Sequence, residues 1–287
     1  MPEVTVIGKS ELKPPRTLNI YRLRSVRADR DAVRRLSGRF GLRGDVESGT
    51  IAEDALGIAY TERPWTMKIF RRSGGWKYRN THLWQVDDGK ANLLVEDAEA
   101  LRMAREHIVK FGLAREEEMR PLRVTRLHVA HCERGSNENH ERVIDVGVVY
   151  ERVVDGLSVE GVGGKTVIYL NHDRQVTGID HLWHDIEKVH EPVKALRPVD
   201  YAVEEVRRRY QGKGPGRVEV TGINLGYFEM GWQHEQEYLQ PAYVVFLRLI
   251  SQDQRIQMKS VLAFPAAENS IGVLDPEPRR LQPQPPR

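Results

Sequence analysis

Apolar residues recur at helical spacing in three stretches of the chain and alternate with polar ones through most of what lies between. Over about 29–40, Val33, Leu36 and Phe40 fall on one face of a helix while Arg30, Arg34, Arg35 and Arg39 point elsewhere. Over about 97–111, Ala100, Met103, Ala104, His107, Ile108 and Phe111 share a face, and Glu96 and Asp97 stand at the positive N-terminal end. The third stretch, about 199–210, is opened by Pro198 and Asp200 and stopped by QGKGPG. Each helix is followed by strand-like runs. GIAYT, WTMKIFRR and WKYRN follow the first, and LRVTRLHVAH, RVIDVGVVYERVV, KTVIYL and QVTGIDHLW the second. GRVEVTGINLGYFEM, YLQPAYVVFLRLI and RIQMKSVLAFP follow the third.

A local signature recurs as well. The first helix ends in RFGLRG and the second in KFGLAR, so Phe40 and Phe111 close the apolar faces and Gly41 and Gly112 supply the left-handed position beyond each C-terminus. The expected architecture is therefore α+β: tandem modules, each a helix packed on an antiparallel β-meander. The expected divisions are a loose arm over 1–16, modules over 17–95, 96–195 and 196–266, and a proline-rich tail over 267–287. A helix across one face of such a sheet leaves the other face open as a binding surface.

The run VVYERVVDGLSVEGVGGKTVIYLNHDRQVTGI resembles the PepSY and fungalysin/thermolysin-propeptide (FTP) modules, through Asp155, Gly156, Val159, Gly161, Val167, Tyr169, Asp173 and Val176. LQPAYVVFLRL is similar to the closing strand of such modules. The resemblance covers about a third of the chain. It implies a cystatin-like helix-on-sheet fold and a non-catalytic role as inhibitor or folding aid of peptidases, although no peptidase domain accompanies it here.

Composition narrows the functions. Apolar residues make up 40% of the 287, enough for real cores, and 44 Lys+Arg against 41 Asp+Glu give a net charge of +3, which exerts no strong pull toward nucleic acid or anionic lipid. The single cysteine, Cys132, excludes an intramolecular disulfide and a cysteine zinc cage. There is no signal-like N-terminus and no run of about 18 apolar residues. The expected location is thus the cytoplasm, with no membrane partner.

Three segments carry candidate chemistry. GIDHLWHDIEKVH sets His181, His184 and Asp185 at metal-like spacing if helical, but the hairpin before it demands a strand. Alternation then puts His181, Trp183 and Asp185 on a polar face and His184 between Leu182 and Ile186 on the core face, so no metal is expected. GYFEMGWQHEQEY, with Tyr227, Trp232, Glu229, His234 and Glu235, is an aromatic and acidic connection of the kind that carries binding residues. Arginines between Lys13 and Arg43 lack interleaved aromatics, which disfavours nucleic acid. GVGGK lacks the phosphate-loop pattern and reads as a turn.

The leading expectation is a non-catalytic binding or inhibitory scaffold that takes a peptide, protein or hydrophobic small molecule on its sheet face or aromatic loop. The alternative is a cofactor-free lyase, isomerase or cyclase. In it His181 or His184, Asp185, Glu229 and His234 move protons and Tyr169, Trp183, Tyr227 and Trp232 shape a pocket between helix and sheet. Neither reading needs a cofactor.

Overall fold

A computed structural model of the chain describes residues 3–8, 12, 15–26, 28–44, 47–84, 95–132, 139–211, 215–272 and 274; the side chains of 129–142, Cys132 among them, lie outside the described residues. Among the described residues strands dominate, sixteen of them against three α-helices. In chain order they are β1 (Glu3–Val6), β2 (Asn19–Leu23), α1 (Arg30–Arg39), β3 (Thr50–Glu53), β4 (Gly57–Glu62), β5 (Trp65–Phe70) and β6 (Trp76–Asn80). Next come α2 (Asp97–Lys110), β7 (Met119–Cys132), β8 (Asn139–Val154), β9 (Leu157–Gly161), β10 (Lys165–Leu170), β11 (Val176–Leu182) and β12 (Ile186–Pro192). The chain closes with α3 (Asp200–Arg209), β13 (Arg217–Glu229), β14 (Tyr238–Leu239), β15 (Pro241–Ile250) and β16 (Gln257–Pro265).

The chain divides into two units, one of Met1–Tyr21, Val189–Phe228 and Tyr238–Arg287, the other of Arg22–Lys188 and Glu229–Glu237. In the first unit β15 lies between β13 and β16, antiparallel to both, and β1 pairs with β13 in parallel. Glu3–Val6 thus forms a strand within the arm expected to be loose. α3 covers this sheet through Ala202, Val203 and Val206, which pack on Val218, Val220, Tyr243, Val245 and Leu247.

The second unit corrects the expected fold. Its strands run β9-β8-β10-β11-β6-β5-β4-β3, with β7 on β8, so the meanders that follow α1 and α2 are one continuous sheet. The seam is β6 against β11: Trp76, Lys77, Tyr78 and Arg79 stand opposite His181, Asp180, Ile179 and Gly178. The chain is a strand-dominated protein with a mixed sheet, and not a tandem of cystatin-like, PepSY or FTP modules. The hairpin and turn residues behind that resemblance are local features, which any antiparallel meander selects whether or not it stops at a module boundary.

The helices are built as their sequences require. Asp29 caps α1 by accepting from Ala32 N at 2.8 Å, worth about 1 kcal/mol. Both helices end in the same Schellman motif. Leu42 N donates to Ser37 O and Leu113 N to Ile108 O, with Gly41 and Gly112 at φ +75° and +60°. Phe40 and Phe111 then meet, ring centroids 5.0 Å apart. Val33 and Leu36 of α1 and Ala100, Met103, Ala104 and Ile108 of α2 share one core with Ile58, Tyr60, Met67, Ile69, Tyr78, Val148, Ile168 and Ile179. Both helices therefore lie on the same face of the sheet, and among the described residues no α-helix packs on the opposite face.

Candidate functional site

On the helix-free face, alternation along β10, β11 and β6 lines up Tyr169, Gly178 and Arg79 in one row and Val167, Asp180 and Lys77 in the next. Gly147 of β8 stands opposite Tyr169 on its other side. Glycines on both sides give the tyrosine ring and the guanidinium a flat floor. A Cβ on Gly147 would come within 3.2 Å of the Tyr169 ring, and one on Gly178 within 2.9 Å of Arg79 Cδ and 3.0 Å of Tyr78 O. Arg79 lies over Tyr169 at 4.7 Å and donates to Asp180 at 2.6 Å and to Tyr78 O and Ile179 O at 2.7 and 3.1 Å. The Tyr169 hydroxyl donates to Asp180 at 3.3 Å. Burial first, and then the Asp180 carboxylate, push its pKa up to about 12, so it remains a neutral donor. Gly178→Ala drives its new methyl against Tyr78 O and the Arg79 stem. The expected result is a loss of about 1–3 kcal/mol, read as a lower urea midpoint.

The aromatic loop reaches this same face. Trp232 packs on Phe70 at 4.9 Å, Lys77 Nζ sits 4.7 Å from the indole centroid, and Gly75 has no room for a side chain beneath it. The loop holds its shape through Gln236, which accepts from Met230 N at 2.7 Å, and through His234 N, which donates to Gly231 O.

At the loop's start, Glu229 is fully buried. Its Oε1 accepts from His184 N at 3.1 Å and faces His184 Nδ1 at 2.6 Å, which makes Nδ1 the protonated nitrogen. Its Oε2 has no hydrogen-bond partner among the described residues. Arg152, 3% exposed, donates to His184 O at 2.7 Å and lies 5.1 Å over Trp183; burial pulls its pKa down. The chemistry open to this cluster is proton transfer at His184, with Glu229 as its orienting carboxylate.

His181, by contrast, sits on the helix-bearing face. β11 stops at Leu182, so the expected alternation does not continue through Asp185, and Ile179 and His181 share the core side while Leu182 points to the other. Its ring is enclosed by Trp76 at 5.3 Å, Trp183 at 6.2 Å and Thr166 Oγ1 at 2.9 Å. Burial, then the charges of Arg152 and Arg39, push its pKa down to about 3. An unfolded chain protonates this histidine near 6.5, so between about 6.5 and 3 the unfolded state holds more protons. Stability is complete above that window and falls as pH drops through it. The urea midpoint should fall between pH 7 and pH 5, and fall less in His181→Gln.

Two expected residues stand apart. Asp185 is exposed, 3.7 Å from Arg24. Tyr227 belongs to the first unit, where its hydroxyl donates to Asn19 O at 2.8 Å. Lys77, Arg79, Arg152 and Asp180 were not legible as site residues. The available signal was the alternation of cations in WKYRN and the glycines flanking Tyr169. Among the described residues there is no group of three potential metal ligands and no helix long and apolar enough to cross a membrane.

No family model matches the chain, and no curated protein matches it. Its structure is similar to the crystal structure of an uncharacterized protein from Eubacterium rectale ATCC 33656, at 11% identity over 93% of this chain and 90% of that one, with a TM-score of 0.54. That likeness concerns the fold alone.

Proposed function

We propose that the chain is a non-catalytic binding module whose recognition surface is the helix-free sheet face of its second unit, bordered by the loop of Trp232. One observation carries this reading. Trp232 of the aromatic loop lies under Lys77, on the same face as Asp180, Arg79 and Tyr169, so the two candidate binding features are one surface. Half-buried residues such as Val167, Tyr169, Lys77 and Arg79 line it, while the helix-bearing side is packed core. Rigid aromatics and fixed cations on a sheet are economical recognition elements, since little side-chain freedom is lost on binding.

A second reading, acid–base catalysis at His184, is favoured by its 2.6 Å contact with Glu229. Against it, Glu229 is 0% and His184 5% exposed, and Arg152 closes the cluster, so the pair is built into the interior. To test the binding reading, a photo-crosslinking benzoylphenylalanine is placed at Val167 of the full chain, and at exposed Arg105 of α2 as control. The expected result is a discrete adduct from Val167 alone, lost on Trp232→Ala. An adduct equally strong from Arg105, or none from Val167, removes the proposal.

A further inference from the structure

We infer that the partner of this face is an acidic protein segment, one that presents carboxylates beside apolar side chains. The inference rests on the binding reading above and adds the chemistry of what is bound. Charged residues on the face are unequal in number. Alternation assigns it Lys68, Lys77, Arg79, Arg120, Arg123 and Lys165, against Asp145, Glu151, Glu160 and Asp180.

Their pairing sharpens the imbalance. Glu151 is already held by Arg120, and Lys165 is turned inward, its ammonium donating to Val159 O and Gly163 O. Lys68 lies 3.4 Å from Asp54. Lys77 and Arg79 both pair with the carboxylate of Asp180, while Asp145, the other carboxylate in the field of Arg79, is fully buried and accepts from Trp84 and Thr177, so the exposed centre holds two cations to one carboxylate. Arg79 is fixed by two carbonyls and by the Tyr169 ring, so it cannot swing away to be solvated. Lys77 is held more loosely, by the 3.4 Å contact with Asp180 and the Trp232 ring 4.7 Å away. A carboxylate settling on Lys77 would place its adjoining side chain against Trp232 and Phe70. That is charge complementarity at the rim of an apolar contact.

Nucleic acid would also supply anions, but base stacking needs free ring faces. Here Tyr169 lies under Arg79, Trp232 under Lys77 and Phe70 under Lys68, an arrangement that allows apolar side chains beside the rings but offers no row of open rings for successive bases. A basic segment would meet Asp180 only after displacing two cations and a tyrosine hydroxyl from it.

The test follows the indole N–H resonance of Trp232, assigned by Trp232→Phe, in the full-length ¹⁵N-labelled chain. The probes are acetyl-Glu-Phe-Glu-Phe-Glu-Phe-amide, its Gln and Lys counterparts, and oligothymidylate. Only the acidic peptide is expected to move the resonance, with an affinity that falls as salt is raised and drops about fivefold to tenfold in Lys77→Gln. Equal binding of the Gln peptide overturns the acidic specificity while leaving the face as a binding surface. Preference for the Lys peptide or for oligothymidylate overturns it in favour of those chemistries. If no probe moves Trp232 while the Val167 cross-link persists, the inferred partner is wrong and the binding surface stands. If both fail, the binding reading falls with it.

Discussion

Replacing Ile179 with alanine is expected to cost the second unit about 3 to 4 kcal/mol, in one cooperative transition. Ile179 is fully buried at the centre of β11, paired with Ile168 on one side and Tyr78 on the other. Removing three carbons there opens a cavity at the seam that joins the strands after α1 to those after α2. Because both helices pack on the same core, the loss should be felt by both. Urea unfolding of the variant, followed by hydrogen exchange in α1 and in α2, reads this directly. Coincident loss of protection in the two helices is expected. An α1 that stays protected while α2 opens would restore the separate modules that the sequence suggested.

Glu229→Ala comes next in size, with an expected loss of about 3 kcal/mol. The carboxylate accepts from both the backbone N–H and the Nδ1–H of His184, and alanine leaves those two buried donors without an acceptor. Glu229→Gln keeps an acceptor oxygen in the same place and is expected to lose only about 1 kcal/mol. The comparison separates a hydrogen-bonding role from a cavity effect, since Gln fills the same volume. The loop should loosen along with it. Gly163 N donates to Glu229 O, and a side chain on Gly163 would strike the Glu229 stem and Met230 O, so Glu229 anchors the chain just before Trp232. A Trp232 indole resonance that broadens in Glu229→Ala but not in Glu229→Gln is the matching observation.

Local signals in the sequence were legible and long-range ones were not. The three helices, their faces and the repeated FGL stop appear as their spacing requires, because helix periodicity and Schellman geometry are decided within a few residues. His184 reads from the sequence as a hydrogen-bonded core histidine, and the structure supplies Glu229 as its partner. The expectation of tandem modules failed where the decision passed to strand edges. Nothing in WKYRN or in TGIDHL announces that β6 and β11 pair, since an edge strand and an inner strand carry the same alternation. The site residues Arg79 and Asp180 lie 101 positions apart and become neighbours only through that pairing. His181 was set on the wrong face for the same reason. Its alternation was read forward through Asp185, whereas the strand ends at Leu182 and the register comes from Thr166 and Trp76 on either side.

The binding surface is tested most directly by the yield of the Val167 cross-link when the face is reversed in charge. Lys77→Glu with Arg79→Glu, in the full chain, changes the field of the face while leaving the helix-bearing core untouched. A recognition surface at this place requires the adduct to fall at least about tenfold with helix protection in α1 and α2 unchanged. An undiminished adduct in a folded double variant would contradict it and return attention to the His184–Glu229 pair.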